Sequence, residues 1–183
     1  MHYKKSFFSI RKALVKLFSF AYTTKHTAFK INNNVLESMK IAIGADHRGF
    51  VLKSYLMSFT SLAGYQIEWV DCGTHSIERT DYPIYAKRVA EAVKDEKVEK
   101  GVLLCGTGVG MAVAANRLPY VYAAVFWNPH IACIAREDDN VNIAVLASDY
   151  VADQEAQTIL KAWLTCSFKK ERYQERLRMI DEG

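Results

Sequence analysis

The sequence predicts an α/β domain: a three-layer, Rossmann-like fold with a five-stranded parallel sheet, helices on both faces and an extra C-terminal helix. Three observations predict it. From Met39 onward, short apolar runs alternate with longer amphipathic segments. The short runs are apolar or β-branched almost throughout and are bounded by Gly, Asp or Asn, as strands covered on both faces tend to be. Strand-like and helix-like segments also follow one another in turn, which is the order of βα units.

The expected strands are residues 41–45, 67–71, 101–105, 122–126 and 142–146, and the helices between and after them are 50–62, 83–94, 109–116, 129–137 and 154–165. Pro83 and Pro129 suit first-turn positions, where the missing N–H has no intrahelical partner to lose. Asp153 is a plausible N-cap, its carboxylate able to accept from free first-turn amides. A charged helix over residues 168–180 closes the chain.

The chain has 183 residues, half hydrophobic and a quarter charged. That length suits one domain of usual size plus a little extra, with a core large enough to need neither metal nor disulfide. No apolar run approaches a membrane span. Residues 1–38 hold seven basic residues (Lys4, Lys5, Arg11, Lys12, Lys16, Lys25 and Lys30) against Glu37 alone. That segment is +6, and the total of +4 therefore leaves residues 39–183 at −2. A nucleic-acid partner needs cations clustered on the folded domain, which this distribution argues against. The four cysteines, Cys72, Cys105, Cys133 and Cys166, form no C-x-x-C pair and show no zinc-ligand spacing. They read as reduced thiols in a cytoplasmic protein that holds no metal, three of them serving as small buried hydrophobes.

Residues 1–38 are basic, rich in hydroxyl and aromatic residues, and amphipathic over residues 7–20. A targeting peptide and a peripheral membrane helix both fit that character. The favoured expectation is an extension outside the domain, disordered or lying ahead of a true start at Met39, with the domain itself at 39–183.

Parallel sheets place ligands at the carboxyl ends of their strands. The first strand ends in Gly44-Ala45-Asp46-His47-Arg48-Gly49 and the third in Cys105-Gly106-Thr107-Gly108-Val109-Gly110. The second run departs from G-x-G-x-x-G, since its third glycine comes one residue early, and no Gly-Lys-Ser/Thr follows. Dinucleotide and P-loop chemistry are thereby disfavoured. The loop can still present backbone N–H groups to an anion, and the same field favours the thiolate of a cysteine placed there. On physical grounds alone Cys105 stands evenly between a buried strand-end residue and a working thiol. Asp46 and His47 stand likewise between capping the next helix and contacting a substrate.

The stretch Met39 to Phe50, the run Glu78-Arg79-Thr80-Asp81-Tyr82-Pro83, and the Cys105–Gly110 loop followed by Ala114-Ala115-Asn116 together resemble the ribose-5-phosphate isomerase B family, which includes the galactose-6-phosphate isomerase subunits. The resemblance covers residues 39 to about 180. It implies a cofactor-free aldose–ketose isomerase that interconverts ribose 5-phosphate and ribulose 5-phosphate by way of an enediolate. It further implies Cys105 as the base, and Thr107 with the amides of Gly106, Gly108, Val109 and Gly110 as oxyanion donors. Asp46, His47 and Tyr82 would line the sugar site, and Arg172 and Arg176, one helical turn apart, would bind the phosphate. The protein would work as a homodimer, or a dimer paired into a tetramer.

Three positions depart from that family's pattern. Asp138 stands where a ring-opening His is usual, Asp139 where an Asn is usual, and Asp149 where a phosphate-binding Arg is usual. Asp138 is the candidate acid–base group in place of the imidazole, with His130 another source of one. Asp149 should cost phosphate affinity unless a second cation compensates. Two alternatives therefore accompany the ribose 5-phosphate reading: an isomerase of another sugar phosphate, such as a hexose 6-phosphate, and a non-catalytic sugar-phosphate-binding homologue.

Overall fold

The computed structural model describes residues 29–31 and 34–182, so the amphipathic stretch 7–20 lies outside the described residues. The chain forms two units, Met1–Ser38 and Met39–Gly183. In the first, β1 (Phe29–Ile31) pairs antiparallel with the start of β2 (Asn34–Ala45), Phe29 opposite Leu36.

The second unit is the expected α/β layering. Its strands are the remainder of β2, then β3 (Ser61–Leu62), β4 (Tyr65–Asp71), β5 (Lys100–Cys105), β6 (Ala123–Phe126) and β7 (Ile143–Ala147). They lie in the order β3-β4-β2-β5-β7-β6, with β2, β6 and β7 joined through parallel registers to β5 or to one another. The helices are α1 (Phe50–Met57), α2 (Tyr82–Lys94), α3 (Val109–Ala115), α4 (Pro129–Asp139), α5 (Asp153–Thr165) and α6 (Arg172–Glu182). Alternate residues of each strand point to opposite faces, and the core divides accordingly. Ile41, Ile43, Val102, Leu104, Ala144 and Leu146 pack with α1, α4 and α5 around the fully buried Trp163. On the other face Ala42, Leu103, Ile143 and Val145 meet α2 and α3 through Val89 and Met111.

All five expected strands are present, and the differences lie at element ends. The helix expected over 50–62 stops at Met57, and Ser61–Leu62 instead forms an antiparallel edge strand against Tyr65–Gln66. Ala63 and Gly64 both have positive φ (54° and 86°), the two-residue hairpin geometry that matches strand twist. Helix α5 begins at Asp153 itself. Ala152 is its N-cap and makes no side-chain cap bond, so Asp153 acts as a first-turn acid rather than a cap. Helix α6 begins at Arg172, later than expected, because Lys170 and Glu171 adopt left-handed backbone just before it. Pro129 opens α4 as expected, and the helix is capped by Asn128, whose Oδ1 accepts from Ile131 N–H at 2.9 Å.

The cysteines require a correction. Cys133 on α4 and Cys166 at the end of α5 form a disulfide, so only Cys72 and Cys105 are free. Nothing in the spacing pointed to this pair, because 33 residues separate its members and the fold alone brings α4 and α5 side by side. Glu137 lies with these two sulfurs, its carboxylate within 4.8 Å of them, but each sulfur is bonded to the other.

Two stability predictions follow. Closing a loop of this length should contribute about 3–4 kcal/mol through the unfolded chain. Guanidinium denaturation should show Cys133→Ser weaker than the parent by about that amount without reductant, with the two unfolding together in dithiothreitol. Lys100, half-buried at the start of β5 and 5.9 Å from the Trp163 ring, has its ammonium pushed down to about 7, by burial first and Arg136 second. Between that value and the unfolded-chain value of about 10.4, the unfolded state holds a proton that the folded state has released. The Lys100 contribution to stability therefore rises with pH across that window. Urea denaturation at neutral and alkaline pH should show a rise that Lys100→Met flattens.

Candidate active site

The carboxyl ends of β2, β5 and β7 are level. Ala45 lies opposite Leu104, and Cys105 opposite Ala147, so the segments leaving these strands emerge side by side. Asp46 N–H donates to Leu104 O at 3.2 Å, Ser148 N–H to Cys105 O at 2.9 Å and Asp149 N–H to Gly106 O at 3.1 Å. The sheet ladder thus continues one step into all three turns.

In the first turn, Asp46 is buried and its Oδ1 accepts from Arg48 N–H (2.9 Å) and Gly49 N–H (3.1 Å), closing the turn into α1. His47 reaches to the segment before α2. Its Nδ1 lies 3.3 Å from both the N–H and the carbonyl oxygen of Thr80, whose hydroxyl is 2.9 Å from the Tyr85 hydroxyl. That segment is anchored at its other end by Lys53. The Lys53 ammonium, only 2% exposed, sits 2.6 and 2.7 Å from the Asp71 carboxylate oxygens, and Cys72 and Thr74 amides donate to Ile43 and Ala45. Lys53 is buried although Asp71 is partly exposed, so removing Asp71 would leave a buried ammonium without its partner. The pair fixes the chain that delivers Thr80 and Tyr82.

The glycine turn is built by close approach. A side chain on Gly106 would stand 2.6 Å from the Arg48 guanidinium carbon, and one on Gly110 would stand 2.7 Å from the Tyr82 ring. Gly108 has φ +77°, which a side chain would strain. In that conformation its N–H donates to Cys105 Sγ at 3.2 Å. The sulfur is placed as the acceptor of the loop's own amide, the polarity a proton-abstracting thiolate requires. Cys105 is 6% exposed, while Thr107 and Val109 on the same loop are exposed. The other free thiol, Cys72, is pushed up by burial first and by Asp71 second.

Asp149, leaving β7, ion-pairs with Arg48, leaving β2, directly beside Gly106. Beside it, Ser148 Oγ is enclosed with no hydrogen-bond partner among the described residues. Sequence reasoning quoted Arg48 within its motif without assigning it a role, and passed over Ser148. The signal for Arg48 was a cation on one strand-end loop and an unexpected anion on another.

The other expected residues do not join this cluster within one chain. Helix α4 starts after the carboxyl end of β6 and ends before the amino end of β7, so Asp138 and Asp139 lie at the amino edge of the sheet. Asp138 is paired with Lys169 (2.9 Å), which also holds Glu137 (2.8 Å). Asp139 faces a groove of about 580 Å³ lined by Leu177, Ile180 and Asp181 of α6. Arg172 and Arg176 straddle Tyr173, their guanidinium carbons 4.9 and 5.5 Å from its ring, and Glu175 pairs with Arg178 instead of balancing them. His130 is exposed in the first turn of α4.

Residues 41–180 match the family model described as Ribose/Galactose Isomerase. The chain is 40% identical over 141 residues to ribose-5-phosphate isomerase B of Escherichia coli strain K12, covering 77% of this chain and 93% of that protein. It superposes on a ribose 5-phosphate isomerase of Thermotoga maritima with TM-score 0.75 and 40% identity, covering 79% and 99% of the two chains. It also superposes on ribose-5-phosphate isomerase B of Mycoplasma genitalium with bound ribulose-5-phosphate (TM-score 0.69, 34% identity, 78% and 94% covered).

Asp46 gives a test of the turn. Asp46→Ala should lower stability by about 1–2 kcal/mol through its two unsatisfied amides, whereas Asp46→Asn keeps an acceptor and should lose much less. Thermal unfolding of the two variants measures the difference.

Proposed function

The chain belongs to the ribose/galactose isomerase family, and on that premise we propose that it interconverts ribose 5-phosphate and ribulose 5-phosphate with Cys105 as the proton-transfer base. The observation that carries this reading is the placement of the Cys105 sulfur, at the carboxyl end of the central strand with the Gly108 amide donating to it. In the open-chain aldose, Cys105 takes the proton from C2 and returns one to C1. The charge that moves onto the carbonyl oxygen between these events needs preorganised donors. Thr107 and the amides of Gly106, Gly108, Val109 and Gly110 are the groups proposed for it, with Asp46, His47 and Tyr82 around the sugar.

A second copy completes the site in this reading. Asp138, Asp139, Arg172 and Arg176 lie at the opposite sheet edge, so they reach a substrate at Cys105 only from another subunit. The unpartnered apolar side chains near the loop, Val109, Val113 and Ile84, about 50–60% exposed, suit such a homodimer contact. The compartment proposed is the cytoplasm, and the Cys133–Cys166 disulfide joins helices that contribute nothing to the Cys105 turn.

A coupled assay offering ribose 5-phosphate and a panel of hexose 6-phosphates tests the reading. Turnover of ribose 5-phosphate is expected, and Cys105→Ala should lower kcat/KM by about 10²–10⁴-fold, the usual worth of a positioned base. Preference for a hexose 6-phosphate would move the substrate to the six-carbon class. Undiminished activity in Cys105→Ala would remove the thiol as the base, and absence of turnover with phosphate still bound would leave a binding homologue.

A further inference from the structure

Three facts converge on Arg48. Its backbone is fixed, since Arg48 N–H donates to the buried Asp46 carboxylate. Its guanidinium lies against the glycine turn so closely that a side chain on Gly106 would stand 2.6 Å from its Nε and central carbon. One edge of the guanidinium is held by Asp149, whose own backbone N–H is tied to Gly106 O. A guanidinium carries five N–H donors in a rigid plane, and one carboxylate occupies only part of that set. The side chain is about half exposed, so donors that Asp149 does not take are open to solvent next to Gly106, the residue after Cys105. Asp46 and Asp149 would otherwise make this edge of the sheet anionic, a poor place for a phosphorylated sugar.

We infer that Arg48, braced by Asp149, is the substrate-binding cation of the Cys105 site and makes charge-assisted hydrogen bonds to the phosphate or adjoining oxygens of the bound sugar phosphate. This rests on the isomerase reading for the identity of the substrate, although not for the binding of an anion. In this arrangement Asp149 is a positioning residue. It holds the guanidinium flat on the turn, as a long side chain leaving a neighbouring loop would not hold itself. The glycine at 106 is the matching requirement, because any side chain there would push the guanidinium off the loop. The charge order is reversed across the two loops: the cation leaves β2 and the anion leaves β7.

The test uses the full chain and two readouts: titration calorimetry with inorganic phosphate, and steady-state kinetics with ribose 5-phosphate. Arg48→Ala should weaken phosphate binding by about tenfold or more, the worth of one hydrogen bond to a charged group, and should raise KM by more than it lowers kcat. Arg48→Lys should fall between, keeping the charge but losing the fork. Asp149→Asn, which loosens the brace but keeps the Arg48 cation, should weaken phosphate binding less than Arg48→Ala does, whereas a merely structural bridge would make the two variants alike. Arg48→Ala and Arg48→Lys that fold like the parent and bind phosphate with KM and affinity within twofold of it would overturn the assignment while leaving the isomerase reading intact. A parent protein that binds phosphate through Arg48 yet turns over no sugar phosphate would overturn the isomerase reading while leaving the Arg48 assignment in place.

Discussion

The turn from Cys105 to Gly110 carries three glycines, and the candidate site is packed into the space they leave. Arg48 occupies the space a Cβ on Gly106 would fill, and the Tyr82 ring occupies the space beside Gly110. Left-handed backbone at Gly108 turns its amide toward the Cys105 sulfur. Each glycine therefore admits one neighbour from a different part of the chain. The first loop, the segment before α2 and the glycine turn meet only because the last of these is bare.

That meeting is supported from beneath. The parallel registers bring Ala45, Leu104, Cys105 and Ala147 to a common level, so backbone hydrogen bonds extend past the strands and hold the three exits together. The Lys53–Asp71 pair does the same for the fourth segment, at the start of the path that carries His47's partner Thr80. Hydrogen-bonded backbone and an ion pair on a buried lysine are stiff supports, and a proton-transfer site needs its base placed to within fractions of an ångström.

Charge is divided between the two edges of the sheet. At the carboxyl edge, Arg48 is set against Asp46 and Asp149. At the amino edge, Lys169, Arg172 and Arg176 gather around Tyr173, with Asp138 and Glu137 held by Lys169. The proposed function brings the two sets together through a second copy. The disulfide joins α4 to the end of α5, on helices that do not line the Cys105 turn.

The layer order, the five expected strands and most helix starts were legible along the chain, because these follow from local hydrophobic periodicity and from Gly and Pro, which act within a few residues. The sequence also placed Cys105 and its glycine loop at a strand end, since a strand running into a glycine turn is written in consecutive positions. Only the tertiary structure decided what depends on distance in space. The Ala63–Gly64 turn cut α1 short because hairpin pairing across it outweighed a weak helical pattern. Cys133 found Cys166 because α4 packs on α5. Asp138 and Asp139 fell at the edge away from Cys105 because α4 runs back across the sheet, and Arg172 and Arg176 because α5 does the same before α6. Asp149 read in sequence as an unbalanced charge, and the fold set it against Arg48, 101 residues earlier. Pattern along the chain fixes which residues face inward, whereas pairings between loops are fixed by strand order and register, which no local pattern carries.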